Sequence, residues 1–227
     1  FRKFGWETRF VDADDPANVR AAMDDKTRCV FVESLANPGG VVTDIAAIAD
    51  VAHDHGVPLI VDNTMATPML CRPFEHGADI VTHSTTKFLN GHGNAVGGVI
   101  VDSGKFDWKA AGGKLPSLTQ PNGSYHGAVL VDALEPIGPI AFITACRVLG
   151  LRDLGPAMAP QNAWLALTGM ETLALRMERH CANALAVAEW LENHEQVAWV
   201  SYAGLETNAY KPLADRYLGG KGGAVFT

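Results

Sequence analysis

Four consecutive residues, Ser84-Thr85-Thr86-Lys87, place hydroxyl groups beside a primary amine. Hydroxyl groups donate hydrogen bonds to phosphate oxygens, and a lysine amine can attack a carbonyl carbon. The pattern therefore predicts a site that binds a phosphate ester and brings a nucleophilic lysine close to a carbonyl group.

Two other polar clusters precede this one along the chain. They are Glu33, Ser34 and Asn37, and then Asp62, Asn63 and Thr64. Each of the three clusters follows a short apolar run. Whether Glu33 and Ser34 touch a ligand or only support residues that do is left open by the sequence.

The elements that must position these clusters follow from the hydrophobic pattern. Compact apolar runs predict strands at 29–32, 57–61, 79–82 and 96–101. Asp15-Pro16 begins a short helix, and Thr43 is expected to cap a second helix at 44–55, with Gly56 just beyond its end. This alternation predicts an α/β fold with a mainly parallel sheet flanked by helices, whose strands present their carboxyl ends at one ligand-binding edge.

The rest of the chain is expected to extend this unit and to begin another. Residues 103–124 are rich in glycine and are predicted to form a loop, and apolar residues spaced as in a helix cover 170–191. A strand is predicted at 197–202. We therefore expect a large domain at 1–169 that lacks its amino-terminal part, and the start of a smaller α/β domain at 170–227.

Composition excludes several classes of protein. Of the 227 residues, 48% are hydrophobic and 19% are charged, and the net charge is −7. A chain this apolar is not disordered, and it has no overall basic field that would draw it to nucleic acid or to a membrane surface. Because the net charge is negative, any phosphate must be held by local geometry. No uncharged stretch is predicted to span a bilayer.

Metal and redox sites are not indicated either. Cys29, Cys71, Cys146 and Cys181 form no CxxC pair. Two histidines, His53 and His55, stand two residues apart in a predicted helix and so do not share a face. These features predict a protein without a metal site, with reduced thiols and a cytoplasmic location.

The three polar clusters together point to one cofactor. Lys87 offers an amine for an aldehyde, Ser84 and Thr86 offer hydroxyls for a phosphate, and Asp62 offers an anion for a protonated ring nitrogen. Pyridoxal 5'-phosphate carries all three groups, and its chemistry needs a Schiff-base lysine and an acidic partner for the pyridinium. The glycines that follow, from Gly91 to Gly98, permit tight turns beside such a ligand.

Two other interpretations of the same residues are weaker. Ser84-x-x-Lys87 fits the SxxK motif of serine acyl-enzymes, but that motif needs its serine at the start of a helix and an SDN element elsewhere. Gly91-x-Gly93 with Gly97 is similar to a dinucleotide-binding loop, yet it precedes a strand instead of following one.

The chain resembles the Cys/Met-metabolism family of fold-type I pyridoxal-phosphate-dependent enzymes. Three motifs in the order typical of the family carry the resemblance: Glu33-Ser34-Leu35-Ala36-Asn37-Pro38, then Val61-Asp62-Asn63-Thr64, then Ser84-Thr85-Thr86-Lys87. Further motifs are similar to the O-acetylhomoserine sulfhydrylase branch, namely Leu151-Arg152-Asp153-Leu154-Gly155 and Gly169-Met170-Glu171-Thr172-Leu173 with Arg176. The resemblance covers essentially the whole sequence.

Carried over by position, the resemblance implies a role for each of five residues. Lys87 would hold the cofactor covalently and move the α-proton, and Asp62 would pair with the pyridine nitrogen. Ser84 and Thr86 would bind the phosphate, and Asn37 would lie near the ring's 3-oxygen. The family's glycine-led phosphate turn and stacking tyrosine would precede Phe1, and its carboxylate-binding arginine would follow Thr227.

The implied activity is γ-replacement on O-acetylhomoserine by sulfide or a thiol, giving homocysteine or methionine and acetate. A cystathionine γ-synthase or a methionine γ-lyase-type elimination would use the same cofactor residues, and an inactive module that keeps the fold is a more distant alternative. The resemblance also implies a homotetramer with small-molecule substrates and no nucleic-acid or membrane partner.

Overall fold

One four-stranded sheet organises the part of the chain that the computed structural model describes, residues 2–224. Its strands are β1 (Val30–Glu33), β2 (Leu59–Asp62), β3 (Ile80–Ser84) and β4 (Gly98–Asp102), arranged in the order β1-β2-β3-β4. The pairs β1–β2 and β2–β3 are parallel, whereas β4 runs antiparallel to β3. The predicted α/β fold with a mainly parallel sheet is thus confirmed, with one antiparallel edge strand.

The α-helices of the described residues differ widely in length. They are α1 (Pro16–Ala22), α2 (Ile45–Asp54), α3 (Thr67–Leu70), α4 (Pro116–Thr119), α5 (Leu130–Ala133), α6 (Ala141–Ala145), α7 (Pro160–Met170), α8 (Leu173–Glu192) and α9 (Lys211–Tyr217). Short 3₁₀ segments lie at Arg2–Phe4, Pro73–His76, Gly112–Lys114 and Gly123–Tyr125, and Cys146–Leu154 is a π-helical segment. None of the described helices combines the length and the apolar composition needed to cross a membrane.

Aspartates cap the first two of these helices. The carboxylate of Asp15 accepts a 2.9 Å hydrogen bond from Ala17 N, as the Asp-Pro pair predicts. Asp44 caps α2 by accepting from Ala47 N at 3.2 Å, so the prediction that Thr43 caps this helix is wrong. The Thr43 hydroxyl instead donates to Glu33 O at 2.7 Å, because the end of β1 places that carbonyl within its reach.

Helical segments cover both faces of the sheet. On one face, α2 buries Ile45, Ile48 and Ala52 against Leu59 and Val61 of β2. On the other face, Ile80 packs in a second core whose members come from the segment between β4 and the π-helical stretch, namely Trp108, Leu118, Leu130, Ala141 and Ala145. The three-layer arrangement leaves the carboxyl ends of β1, β2 and β3 at one edge of the sheet.

Residues 103–124 are more ordered than a loop. They contain α4, the 3₁₀ turn Gly112–Lys114 and the start of the turn Gly123–Tyr125, and they bury Trp108 and Leu118 in the second core. Glycine content predicted a loop because it reports conformational freedom, whereas the apolar side chains between the glycines are what anchor this segment.

The long helix predicted across 170–191 is confirmed as α8, except that its first residue, Met170, ends α7. Its buried stripe is present in α8 as Leu173, Met177, Cys181, Ala184 and Ala188, but the chain turns at Glu171 and Thr172 between α7 and α8.

The strand predicted at 197–202 is wrong. These residues form no strand, because no described segment pairs with them, and a strand needs a partner for its backbone groups. Tyr202 is instead buried with its hydroxyl donating to Gly223 O at 2.9 Å.

The last described helix packs on the first core. Ala214, Tyr217 and Leu218 are buried in the cluster that holds α2 and β2. The Tyr217 hydroxyl accepts from Ala46 N at 3.2 Å and donates to Asp44, so α9 is tied to the start of α2. The division of the chain at residues 169 and 170 remains a prediction.

Candidate active site

The carboxyl ends of the three parallel strands lie side by side. Glu33 is in register with Asp62, and Asp62 is in register with Thr82. The ladder continues past the strand ends, because Ser34 N donates to Asp62 O at 3.0 Å and Asn63 N donates to Thr82 O at 2.9 Å. The structure therefore brings the three polar clusters to adjacent positions along one sheet edge.

Asp62 is joined to the Lys87 segment by a chain of two hydrogen bonds. Its Oδ1 atom accepts from Thr64 N at 2.8 Å, and Thr64 Oγ1 accepts from Ser84 N at 2.8 Å. The second carboxylate oxygen of Asp62 makes no hydrogen bond within residues 2–224 and is available to a ligand. A fixed carboxylate with one free oxygen suits the binding of a cationic ring nitrogen.

Beneath this edge lies a buried polar network. The Ser34 hydroxyl donates to Asn63 Oδ1 at 2.7 Å, and Asn63 Nδ2 donates to Cys71 O at 2.9 Å. Ser34 and Asn63 are each 1% exposed. The burial of Ser34 and its bond to Asn63 favour a supporting role for this residue, and the role of Glu33 stays open.

The thiol of Cys71 lies beside this network. Burial raises its pKa to about 12, with a smaller contribution from the negative charge of Glu75. It is a structural thiol and not a nucleophile, because only the thiolate attacks.

Lys87 stands on a helical turn that follows β3. Lys87 N donates to Ser84 O at 3.3 Å, and Gly91 N donates to Lys87 O at 2.8 Å. The Lys87 side chain is exposed, and its amine has no partner among the described residues. The Ser84 hydroxyl is likewise without a partner in this part of the chain, so both groups can engage a ligand.

The Thr86 hydroxyl is already engaged. Its oxygen accepts from Gly97 N at 3.1 Å and is placed to donate to Gly97 O at 3.2 Å. These bonds tie the Lys87 turn to the chain just before β4. The side-chain amide of Asn37, by contrast, is exposed and unbonded in the described structure, while its backbone N donates to Glu33 Oε2 at 3.1 Å.

Sequence reasoning assigned no role to His83, which lies between Thr82 and Ser84 on β3. The residue is 7% exposed, and its Nδ1 atom is buried without a hydrogen-bond partner among the described residues. Burial lowers its pKa, although the charge of Asp62 and a backbone contact with Asn63 act in the opposite direction. One signal was present in the sequence: His83 comes two residues after Val81, so the two side chains lie on the same face of the strand.

No role was assigned to Arg176 from the sequence either. Its guanidinium donates to Phe88 O at 2.8 Å and to Gly169 O at 2.8 Å, which places it directly behind the Lys87 turn. The sequence held two clues: Arg176 accompanies a motif similar to the sulfhydrylase branch, and it lies three residues after Leu173, on the edge of the apolar stripe of α8.

The histidines of the second helix have ordinary partners. His53 Nε2 lies 2.8 Å from Asp79 Oδ2, and His55 Nε2 lies 2.8 Å from Asp24 O. Within residues 2–224, no group of three or more His, Cys, Asp or Glu side chains is arranged to hold a metal ion.

The fold is that of a known enzyme family. The sequence profile of the Cys/Met metabolism PLP-dependent enzymes matches residues 1–227, and the chain belongs to that family. It is 51% identical over 222 residues to the O-acetyl-L-homoserine sulfhydrylase of Leptospira meyeri, a match that covers 96% of this chain and 50% of that protein. It is 50% identical over 226 residues to the homocysteine synthase of Schizosaccharomyces pombe, covering 99% of this chain and 52% of that protein.

Solved structures give the same result. A Campylobacter jejuni protein described provisionally as O-acetylhomoserine (thiol)-lyase, which contains a pyridoxyl-lysine monophosphate residue, superposes with a TM-score of 0.93 at 38% identity. The match covers 99% of this chain and 55% of that one. The O-acetylhomoserine sulfhydrylase of Wolinella succinogenes matches with a TM-score of 0.82 at 36% identity, covering 99% and 59%. The chain thus spans about half the length of the curated relatives it matches.

The groups left free at the sheet edge fit the family's cofactor. They are a primary amine on Lys87, one carboxylate oxygen of Asp62, the Ser84 hydroxyl and the Asn37 amide, all at the carboxyl ends of β1, β2 and β3. An aldehyde, a ring nitrogen, a phosphate and a phenolic oxygen each find a matching group in this set.

Proposed function

We propose that this chain carries the cofactor-binding part of an enzyme that uses pyridoxal 5'-phosphate for γ-replacement on O-acetylhomoserine. Sulfide or a thiol would add at the γ-carbon and acetate would leave, giving homocysteine or methionine. The observation that carries the proposal is the free amine of Lys87 on a turn hydrogen-bonded, through Thr64, to the carboxylate of Asp62. The similarity to sulfhydrylases of about 50% identity supports the choice of substrate.

Lys87 and Asp62 have the two chemical roles in this proposal. Pyridoxal phosphate, when bound, supplies an electron sink for negative charge at the substrate's α-carbon. The Lys87 amine would hold the cofactor covalently before substrate arrives. Its Nζ atom would afterwards accept the α-proton and then a β-proton, which allows acetate to leave, and would return protons to the β- and α-carbons once sulfur has added at the γ-carbon. The Asp62 carboxylate keeps the proton on the ring nitrogen, which strengthens the electron sink.

Ser84, Thr86 and Asn37 orient the cofactor. The Ser84 hydroxyl is free to donate to a phosphate oxygen without breaking an existing bond. Thr86 has one hydroxyl proton, so donation to phosphate would take that proton from Gly97 O while the oxygen still accepts from Gly97 N. The Asn37 side chain would donate to the ring's 3-oxygen.

The assembly and location follow the same proposal. We infer a homotetramer, which is supported by large apolar side chains left exposed on α7 and α8: Trp164, Leu167, Leu175 and Trp190. We infer a cytoplasmic enzyme, which is supported by the four free cysteines, since thiols stay reduced in that compartment. The large domain would end at residue 169, and 170–227 would begin the smaller one.

Product analysis with the full-length protein tests the proposal. The expected result with O-acetylhomoserine and sulfide is homocysteine and acetate in equal amounts, and no product from Lys87→Ala. A 2-oxo acid and ammonia in place of homocysteine would indicate γ-elimination, and cystathionine formed only with cysteine would indicate a cystathionine γ-synthase. Absence of bound cofactor from the parent protein would favour an inactive module.

A further inference from the structure

Arg176 of α8 uses its guanidinium on backbone carbonyls that lie immediately after Lys87. Nη1 donates to Phe88 O at 2.8 Å, and Nη2 lies 3.5 Å from Leu89 O. The same Nη2 donates to Gly169 O at 2.8 Å. We propose that Arg176 is a positioning residue, which fixes the turn bearing Lys87 against the junction of α7 and α8; its importance for catalysis rests on the function proposed above.

The carbonyls of the Lys87 turn show why this arginine is needed. Ser84 O, Thr85 O and Lys87 O accept from backbone N–H groups within the turn. Phe88 O and Leu89 O have no backbone donor among the described residues, and Arg176 supplies the donor for both. Because an unpaired, partly buried carbonyl is costly, the end of the turn depends on this side chain.

Within the described structure, the positive charge of Arg176 faces backbone carbonyls and not a carboxylate. It forms no ion pair with a carboxylate within residues 2–224, and its Nε donates instead to Thr172 Oγ1 at 3.1 Å. Burial lowers the pKa of the guanidinium, although an arginine remains charged at neutral pH. Hydrogen bonds from a charged donor are stronger than those between neutral groups, so the contact restrains the turn more than another backbone bond would.

Two glycines leave room for the contact. A Cβ atom at Gly91 would lie 2.3 Å from Arg176 Nη1, and the φ of Gly91 is +78°. A Cβ atom at Gly169 would lie 2.0 Å from Asn90 O. The turn and the end of α7 therefore approach each other backbone to backbone, with the guanidinium between Phe88 and Gly169.

The arrangement links the lysine to the helix junction. Arg176 is held at Thr172 and Gly169 on one side and at Phe88 and Leu89 on the other. A lysine must hold its amine at a defined distance from the reacting carbon, and small misplacements cost rate more than binding. We therefore expect loss of the Arg176 contacts to lower kcat more than it raises KM.

Arg176→Lys in the full-length protein tests the proposal, with Arg179→Lys as the matched control. Arg179 lies on the same helix, is exposed, and makes no hydrogen bond or ion pair with the described residues. A lysine amine cannot reproduce the four hydrogen bonds of the guanidinium. Amide hydrogen exchange should therefore rise about tenfold or more at Asn90 and Gly91, whose N–H groups close the turn. With substrate, kcat should fall about 10- to 100-fold and KM should change less, whereas the control should match the parent.

Thr172→Val gives a second, milder test, because it removes the acceptor of Nε and the hydroxyl's long 3.4 Å bond to Gly169 O but leaves the guanidinium's bonds to Phe88 and Gly169 in place. It should raise exchange at the same two amides by a smaller factor. Unchanged exchange at Asn90 and Gly91 in Arg176→Lys, or an equal rise at amides throughout the sheet, would overturn the positioning role. Since exchange is measured without cofactor or substrate, failure of the proposed activity leaves this test intact: faster exchange in an inactive protein would refute only the function.

Discussion

The backbone N–H of Ser84 donates a 2.8 Å hydrogen bond to Thr64 Oγ1. Thr64 N in turn donates to Asp62 Oδ1, so a single threonine connects the carboxylate at the end of β2 to the turn that carries Lys87. Asp62 and Lys87 follow neighbouring strands, and this link adds to the pairing of β2 with β3 in fixing their separation. In the proposed mechanism both groups must reach one cofactor. Thr64 therefore helps to hold the Asp62 carboxylate and the Lys87 turn at the distance that the cofactor requires.

Thr64→Val tests that link. Valine keeps the shape of the side chain but removes the acceptor, so Ser84 N loses its partner and the protein should lose about 1 kcal/mol of unfolding free energy. The activity of the folded protein should also fall, because Thr64 no longer links the Lys87 turn to the Asp62 carboxylate. Urea denaturation and steady-state kinetics measure the two effects. Thr64→Ser, which keeps the hydroxyl, should retain most activity; equal loss in both variants would contradict the argument.

Lys87→Ala should abolish covalent attachment of the cofactor. Borohydride reduction of the parent, followed by peptide mapping, should place the cofactor on the peptide that contains Lys87, because its amine is free and adjoins the polar sheet edge. Lys105→Ala is the control and should label like the parent. Label on Lys105 or Lys109 instead would refute the assignment.

Asp62→Asn should leave the fold intact and lower activity by several orders of magnitude. The amide oxygen can still accept from Thr64 N, but a neutral side chain does not hold a proton on the ring nitrogen. Asp79→Asn is an informative contrast. Its Oδ2 accepts from Leu59 N at 2.8 Å and contacts His53, so this change should reduce stability. Near-normal turnover in Asp62→Asn would exclude the ring-nitrogen role.

Ser84→Ala and Thr86→Val should separate cofactor affinity from stability. The Ser84 hydroxyl is free, so its removal should weaken cofactor binding by about 1–3 kcal/mol with little change in the apoprotein's stability. The Thr86 hydroxyl bonds Gly97 at both N and O, so its removal should also destabilise the apoprotein. Titration of the apoproteins with cofactor and their thermal unfolding distinguish the two. Equal stability losses would show that Ser84 has a structural partner.

His83 should make the protein sensitive to mild acid. Its pKa is lowered in the folded state by burial, so between that value and about 6.5 the unfolded chain binds more protons. The contribution to stability is complete above about pH 6.5 and is lost as pH falls through the folded-state pKa. Urea unfolding across pH 5–7 should therefore show a shallower slope in His83→Asn than in the parent. An unchanged slope in His83→Asn would contradict this explanation.

Local sequence was sufficient for most of the sheet and for the position of the candidate site. Strand ends at Glu33, Asp62 and Ser84 follow from short apolar runs, and an Asp-Pro pair marks the start of α1. These features depend on neighbouring residues only. Parallel strands joined by helices must bring their carboxyl ends to one edge, so the meeting of the polar clusters could also be predicted.

Elements whose partners lie far away in the chain could not be predicted in the same way. Residues 197–202 have the composition of a strand, but they pair with no described segment. Thr43 has the right chemistry for a cap, yet the distant carbonyl of Glu33 binds its hydroxyl. For Thr43, a local preference worth about 1 kcal/mol was outweighed by a contact that only folding creates. For residues 197–202, a strand preference of about 1 kcal/mol found no described segment to pair with.

By itself, the sequence determined which groups are available for chemistry: the amine of Lys87, the carboxylate of Asp62 and the hydroxyl of Ser84, each just after a strand. Only the tertiary structure decided how they are held. Thr64 joins two strand ends that are 20 residues apart in sequence, and Arg176 reaches Phe88 across 88 residues. A pattern of residue types records local preference, whereas a hydrogen bond over such a separation exists only once packing has brought donor and acceptor together.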